Sequence, residues 1–293
     1  MERFIETLID GIATGSIYGA LALALVLIYR STGIVNFAQG EMAMFSTFGA
    51  WALIEAGLPV GLAVLVTLIA SLLGGMIIER ALIRPVEGSP ELTLVTVTLG
   101  LFIGINGLAR WIWGSQNRGF PSMFGDGNVT VGGVSTSLES LGLVAVLLGV
   151  VGVLWLVFQK TKLGLAMRAA AVNPAASRLV GIPVGRMLMF GWGLAAVCGA
   201  LAGVLVAPRL FLDPGLMGPV IIYSFAAATL GGFDSPFGAV LGGWIIGVAE
   251  ALAGGYVDFI GQDLKILVPL AVILSVLLVR PHGLFGSPEV ARA

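Results

Sequence analysis

Long apolar runs almost free of charge dominate this chain, and they decide its solvent before any other feature is considered. A helix crossing a bilayer needs roughly 20 mainly apolar residues, each advancing it by about 1.5 Å. Nine stretches meet or approach that length: 8–29, 34–55, 58–78, 92–113, 138–158, 187–208, 216–233, 237–255 and 264–280. Of the 293 residues, 58% are hydrophobic and only 11% are charged, whereas a soluble domain carries about 25% charge. Too few charges remain to dress a water-facing surface. We expect an all-α polytopic membrane protein of about eight to ten transmembrane helices, built as a single transmembrane domain over residues 1–293. The seventh and eighth stretches are short and rich in glycine, and the second opens on polar residues. One span is therefore expected to be broken or re-entrant. The opening Met1-Glu2-Arg3-Phe4-Ile5-Glu6 lacks the basic start of a cleaved signal, so the first apolar run is expected to be retained.

Several functions fall away on composition and motifs. A net charge of −1 gives no basic surface for nucleic acid. One cysteine, Cys198, excludes an internal disulfide and a cysteine-based zinc site, and one histidine, His282, leaves little for imidazole chemistry. The chain contains no G-x-x-x-x-G-K-[ST] phosphate loop, no G-x-S-x-G elbow and no H-E-x-x-H helix. Neither P-loop ATP hydrolysis nor these catalytic chemistries belong to it, and a role in transport or as a channel is favoured by elimination.

The polar intervals orient the chain. Segment 79–91 carries Arg80 and Arg84, and segment 159–186 carries Lys160, Lys162, Arg168, Arg178 and Arg186. Segment 114–137, by contrast, holds the single basic residue Arg118. The positive-inside rule places the first two in the cytoplasm and the third outside. With nine alternating spans the N-terminus lies outside and the C-terminus inside. Ten basic residues then lie inside (30, 80, 84, 160, 162, 168, 178, 186, 280 and 292) and five outside.

The cytoplasmic segment 159–186 encodes a short helix with marked ends. Asn173 is a good N-cap, Pro174 suits the first helical position, and Gly181 suits the position just past the end, with Ile182-Pro183 following. Ala175, Arg178 and Leu179 fall within it, and Leu179 and Ile182 are expected to be apolar on a wet surface. Such a helix fits a docking knob for another protein, or else lies against its own bundle or the lipid interface. The triplet Asn173-Pro174-Ala175 also occurs in water channels. Those use two such triplets facing one another in the membrane, and here there is one, in a basic loop.

A second candidate lies at the start of the second stretch, where Asn36, Gln39, Gly40 and Glu41 follow Ser31-Thr32-Gly33. An ionisable group facing hydrocarbon costs several kcal/mol. Either these residues line a polar pathway at a broken helix, or they mark the interfacial start of a helix. Asn106 in the fourth stretch and Glu250 in the eighth are weaker candidates, each expected first as an interhelical hydrogen-bond or interface residue and second as a substrate contact. Glycines four apart recur as Gly11/Gly15/Gly19, Gly100/Gly104, Gly199/Gly203, Gly238/Gly242 and Gly243/Gly247, and they mark faces where helices approach closely.

Several of these segments together resemble the branched-chain amino acid ABC transporter permeases. They are Thr32-Gly33-Ile34-Val35-Asn36-Phe37-Ala38-Gln39-Gly40-Glu41, Arg84-Pro85, and Lys162-Leu163-Gly164 through Arg168-Ala169 to Asn173-Pro174 and Gly181-Ile182. Further along come Leu230-Gly231-Gly232-Phe233-Asp234-Ser235-Pro236, Gly247-Val248-Ala249-Glu250 and the tail Arg280-Pro281-His282-Gly283-Leu284-Phe285-Gly286. The likeness covers nearly the whole chain and is closest to the LivH type of permease subunit.

The resemblance implies a bacterial inner-membrane subunit of a binding-protein-dependent importer. Its partners would be a second permease, two cytoplasmic ATPases and a periplasmic binding protein. No cofactor would bind this chain, and ATP and magnesium would sit on the ATPases. Arg168, Asn173, Pro174, Ala175, Arg178, Leu179, Gly181 and Ile182 would couple to them. Asn36, Gln39, Gly40, Glu41 and Asn106 would belong to the translocation pathway. Many relatives carry His where this chain has Gln39, and a neutral amide has no proton-titrating role. Related importers take urea, short amides or other amino acids. An ion-coupled secondary transporter of small polar solutes, with Glu41 as the coupling carboxylate, is the alternative from another class.

Overall fold

Long apolar runs form helices along most of the chain. The structure is a computed structural model describing residues 2–125, 127–131, 134–261 and 264–286. Of the expectations above, Arg292 and parts of loop 114–137 lie outside the described residues. Among those described, eleven α-helices form: α1 (Glu2–Thr32), α2 (Gln39–Glu55), α3 (Val60–Ile78), α4 (Glu91–Trp113), α5 (Leu138–Lys160), α6 (Lys162–Val172), α7 (Pro174–Leu179), α8 (Val184–Leu210), α9 (Met217–Gly231), α10 (Pro236–Tyr256) and α11 (Leu267–Val279). Strands β1 (Asn128–Val131) and β2 (Val134–Ser137) pair antiparallel in the segment expected outside.

All nine apolar stretches form helices, so the chain is an all-α polytopic membrane protein. Six are long and apolar enough to cross a bilayer: α1, α3 with its continuation to Val86, α4, α5, α8 and α10. Helices α2, α9 and α11 have 17, 15 and 13 residues and span about 25, 22 and 20 Å. Helices α4 and α5 bury little of themselves and present Ile103, Trp111, Val153 and Leu156 outward. That is how a lipid-facing helix distributes its apolar residues.

The chain divides into two compact units. The first comprises the residues up to Val26, Phe124–Leu147 and the segment from Gly218 onward. Within it, the first half of α1 packs on α10, with Gly11 and Gly15 against Gly243 and Gly247. Helices α9 and α10 form a hairpin through Gly231 and Gly238, which is closed by backbone bonds from Leu284 N to Leu230 O (2.8 Å) and Phe285 N to Gly231 O (3.2 Å). A methyl group on Gly15 would meet the Trp244 Cα at 2.9 Å. Gly15→Ala is therefore expected to lose about 1–3 kcal/mol by overpacking. Gly149→Ala, where nothing lies within 4 Å, should be neutral or slightly stabilising. Thermal unfolding in detergent separates the two.

The second unit comprises Leu27–Met123 and Leu148–Met217. Its core is α8, buried along Gly191–Gly193 and most of Ala195–Ala207. Helices α2 and α8 run in parallel, with Gln39 against Ala195 and Gly199 and Thr47 against Gly203. Since Ala195 lies about 16 Å along α8 from its first residue, α2 starts deep in the unit. Gly33, at φ +74°, ends α1, and residues 34–38 enter the unit without helix. The expected helix over 34–55 is thus shortened, beginning at Gln39. Its buried polar start has the character of a broken entry.

At the end of the unit where α8 begins, α3 continues into a π-turn at Glu79–Ile83 and a 3-10 turn at Arg84–Val86. The wider π-turn places residues five apart on one face. Arg84 accordingly folds back on Glu79, its Nη2 donating to Oε2 at 2.7 Å, and also donates to the Gly185 carbonyl of α8 at 2.6 Å.

Candidate functional site

The start of α2 gathers the polar residues that have no place in hydrocarbon. Asn36 and Gln39 are 0% exposed and Glu41 is 5% exposed. Asn36 Oδ1 accepts from Ala38 N (3.0 Å), an Asx-type turn that shapes the entry into the helix. Its Nδ2 donates to Gln39 Oε1 (3.2 Å), and Gln39 Nε2 donates in turn to the Ala195 carbonyl (3.0 Å). A Cβ at Gly199 would lie 2.5 Å from that amide, so glycine makes room for Gln39. Gly40, between Gln39 and Glu41 in the sequence, is buried as well.

The second network belongs to Glu41. Asn106 Nδ2 donates to Glu41 Oε2 (2.9 Å) and to the Pro214 carbonyl (2.8 Å), and its Oδ1 accepts from Arg110 Nε (2.7 Å). Among the described residues Glu41 has no cation within ion-pair distance, and Arg110 reaches it through the amide of Asn106. All five residues expected to share a pathway, Asn36, Gln39, Gly40, Glu41 and Asn106, fall in this one unit. An amide pair and a carboxylate held by an amide can offer both donors and acceptors to a small polar solute.

The marked helix in segment 159–186 is present as α7. Asn173 Oδ1 accepts from Ala176 N (2.9 Å), and Pro174 opens the helix. At the other end Gly181 sits at φ +83°. Gly181 N donates to Arg178 O (3.1 Å) and Ile182 N to Ser177 O (2.9 Å), the two bonds of a Schellman stop. Ala175 is exposed, Leu179 is 89% exposed and Val180 is 75% exposed. Ile182 departs from expectation. It is half-buried against a cluster of Met167 and Ala170 from α6 and Val184, Met187 and Leu188 from α8. Arg178 forms an ion pair with Glu87 (3.6 Å), and Arg168 points to Gln159, its Nη1 donating to Oε1 at 2.9 Å.

Removing the Asn173 cap by Asn173→Ala should cost about 1 kcal/mol locally. Amide exchange over 175–180 should then run about fivefold faster, while Asn173→Asp, which keeps the acceptor, should stay near wild type. Hydrogen-exchange mass spectrometry reads this directly.

Two features were not anticipated, and one expected kind of contact found its partner only in the structure. Helix α6 starts on Thr161, whose side chain accepts from Gly164 N (3.0 Å), the one local signal that marks it. The Glu79–Arg84 pair depends on the π-turn and has no α-helical spacing. In the first unit, Glu250 makes the expected interhelical hydrogen bond, its Oε2 accepting from Tyr18 Oη (2.7 Å), and Tyr18 stacks on Tyr223 at 4.7 Å. No spacing in one sequence pairs residues 232 apart.

Comparison with known proteins places this architecture. The family model described as branched-chain amino acid transport system, permease component, matches residues 7–277. The high-affinity branched-chain amino acid transport system permease protein LivH of Salmonella typhimurium is 30% identical over 99% of this chain and 97% of its own length. The permease protein BraD of Pseudomonas aeruginosa is 29% identical over 99% and 98%. The probable LivH of Methanocaldococcus jannaschii is 30% identical over 91% of this chain and 87% of its own. The chain belongs to the family of branched-chain amino acid transport system permease components.

Proposed function

We propose that this chain is the membrane permease subunit of an ATP-driven ABC importer that takes up branched-chain or chemically similar amino acids. The observation carrying the proposal is α7, a six-residue helix capped at both ends that presents Leu179 and Val180 to the outside of the fold. A short, rigid apolar knob is what a groove on another protein can grip. The chain has no phosphate loop of its own, so ATP and magnesium belong on two separate ATPase subunits, which would seat on this knob. The basic end bearing α7 faces the cytoplasm in this reading, together with the C-terminus, in a bacterial inner membrane. A second permease subunit and a periplasmic binding protein that delivers substrate complete the assembly.

The connections around α7 suggest how movement there reaches the pathway. Arg178 holds Glu87, three residues beyond Arg84. Arg84 holds both Glu79, at the end of α3, and Gly185, at the start of α8. Helix α8 in turn carries the Ala195 carbonyl that receives Gln39. A push on α7 is passed to α3 and α8 and so to the start of α2. There Asn36, Gln39, Gly40, Glu41 and Asn106 would contact the solute during alternating access.

A mild-detergent pull-down of the tagged chain from its native membrane, with the partners identified by mass spectrometry, tests the assembly. Recovery of P-loop ATPases and a second permease is the expected result. Recovery of the chain alone, with full transport on reconstitution, would overturn the reading.

A further inference from the structure

A narrow slot of about 40 Å³ in the second unit is bounded by the last turns of α1 and α5 and by α6 and α8. Its walls are apolar, with Phe158, Met167, Met187 and Leu188 among them, and two arginines, Arg30 and Arg168, line it with no carboxylate. Among the described residues neither arginine has an ion-pair partner. Arg168 spends Nη1 on Gln159, while its Nε is buried with no hydrogen-bond partner. A buried donor left unmade is costly; the unpartnered Arg168 Nε, with the exposed Arg30 guanidinium in the same lining, defines the chemistry of what completes the apolar slot.

The position of the slot sets the kind of ligand. Arg30 lies two residues before the end of α1 and Phe158 two before the end of α5, so the slot sits where spanning helices leave the hydrocarbon. Helix α6 buries Gly164, Met167 and Ala170 and exposes Leu165 and Val172, the habit of a helix lying at a membrane surface. A ligand here meets hydrocarbon on one side and headgroups on the other.

We propose that this slot holds one anionic phospholipid. Its phosphate is gripped by Arg30 and Arg168, and the first methylenes of an acyl chain lie among Phe158, Met167, Met187 and Leu188. Guanidinium forks match phosphate oxygens in geometry as well as charge, and basic pockets between membrane helices favour anionic headgroups. With no carboxylate in the lining, the cationic group of a zwitterionic lipid gains no partner there. Arg168 then acts as a lipid ligand on the helix that leads into α7, one residue away at Asn173.

Native mass spectrometry of the purified, delipidated protein tests this, titrating dioleoyl phosphatidylglycerol, dioleoyl phosphatidylcholine and inorganic phosphate. Wild type is expected to retain one phosphatidylglycerol about tenfold or more in preference to phosphatidylcholine, and millimolar inorganic phosphate should not displace it. The preference should vanish in the Arg30→Gln, Arg168→Gln double variant and survive in Lys160→Gln, Lys162→Gln, which alters the same end outside the slot. Equal retention of the two lipids by wild type would overturn the proposal without any variant. So would displacement by inorganic phosphate, or equal loss in both double variants.

Discussion

Replacing Glu41 by alanine is expected to lower transport about tenfold or more while leaving the chain folded and assembled. The carboxylate is buried and accepts from Asn106. Asn106 keeps the Pro214 carbonyl as a second acceptor and still accepts from Arg110. Losing Glu41 therefore removes one hydrogen bond and strands no whole side chain. The stability cost is expected to stay within about 1–3 kcal/mol, far less than a polytopic bundle needs to unfold. Transport, by contrast, loses the only carboxylate in the proposed pathway. Glu41→Gln separates the two roles, because glutamine keeps an acceptor for Asn106 but carries no charge. Uptake assays alongside size-exclusion profiles decide it. Normal uptake in both variants would make Glu41 a packing residue.

The second large effect is expected at Leu179. Leu179→Asp should strip the ATPase subunits from the purified assembly, with a loss of affinity of about thirtyfold or more, the scale of a hot-spot residue. Leu179 is almost wholly exposed, so the substitution removes no internal contact and the membrane fold should persist. Val172→Asp supplies the control, since Val172 is equally exposed but ends α6 rather than belonging to α7. ATPase co-purification at the wild-type level with Leu179→Asp would show that α7 docks nothing there.

The helices were legible because hydrocarbon demands long apolar runs, and all nine such stretches are helical. The ends of α7 were legible as well, since an Asn-Pro start and a glycine stop act within the segment itself. Features made by distant partners were not. Glu41 and Asn106 lie 65 residues apart, and nothing local shows that one completes the other. Ile182 is apolar beside a basic loop, which suggested exposure. It packs against a cluster shared by α8 and α6, the latter a helix too short and too polar to stand out in hydropathy. The π-turn at Glu79–Ile83 was hidden for a different reason: an i, i+5 pairing belongs to no period that an apolar pattern displays. Helix α2 begins five residues later than its apolar run, because Asn36 turns the backbone into a shape that apolar content does not report.

The most direct test is uptake of radiolabelled leucine by proteoliposomes. They would hold this chain, its second permease and its ATPases, with the binding protein in the bath. The expected result is uptake that needs both ATP and the binding protein, stops when either is omitted, and is unaffected by an uncoupler. Uptake by this chain alone, abolished by the uncoupler and indifferent to ATP, would contradict the importer and place ion coupling at Glu41.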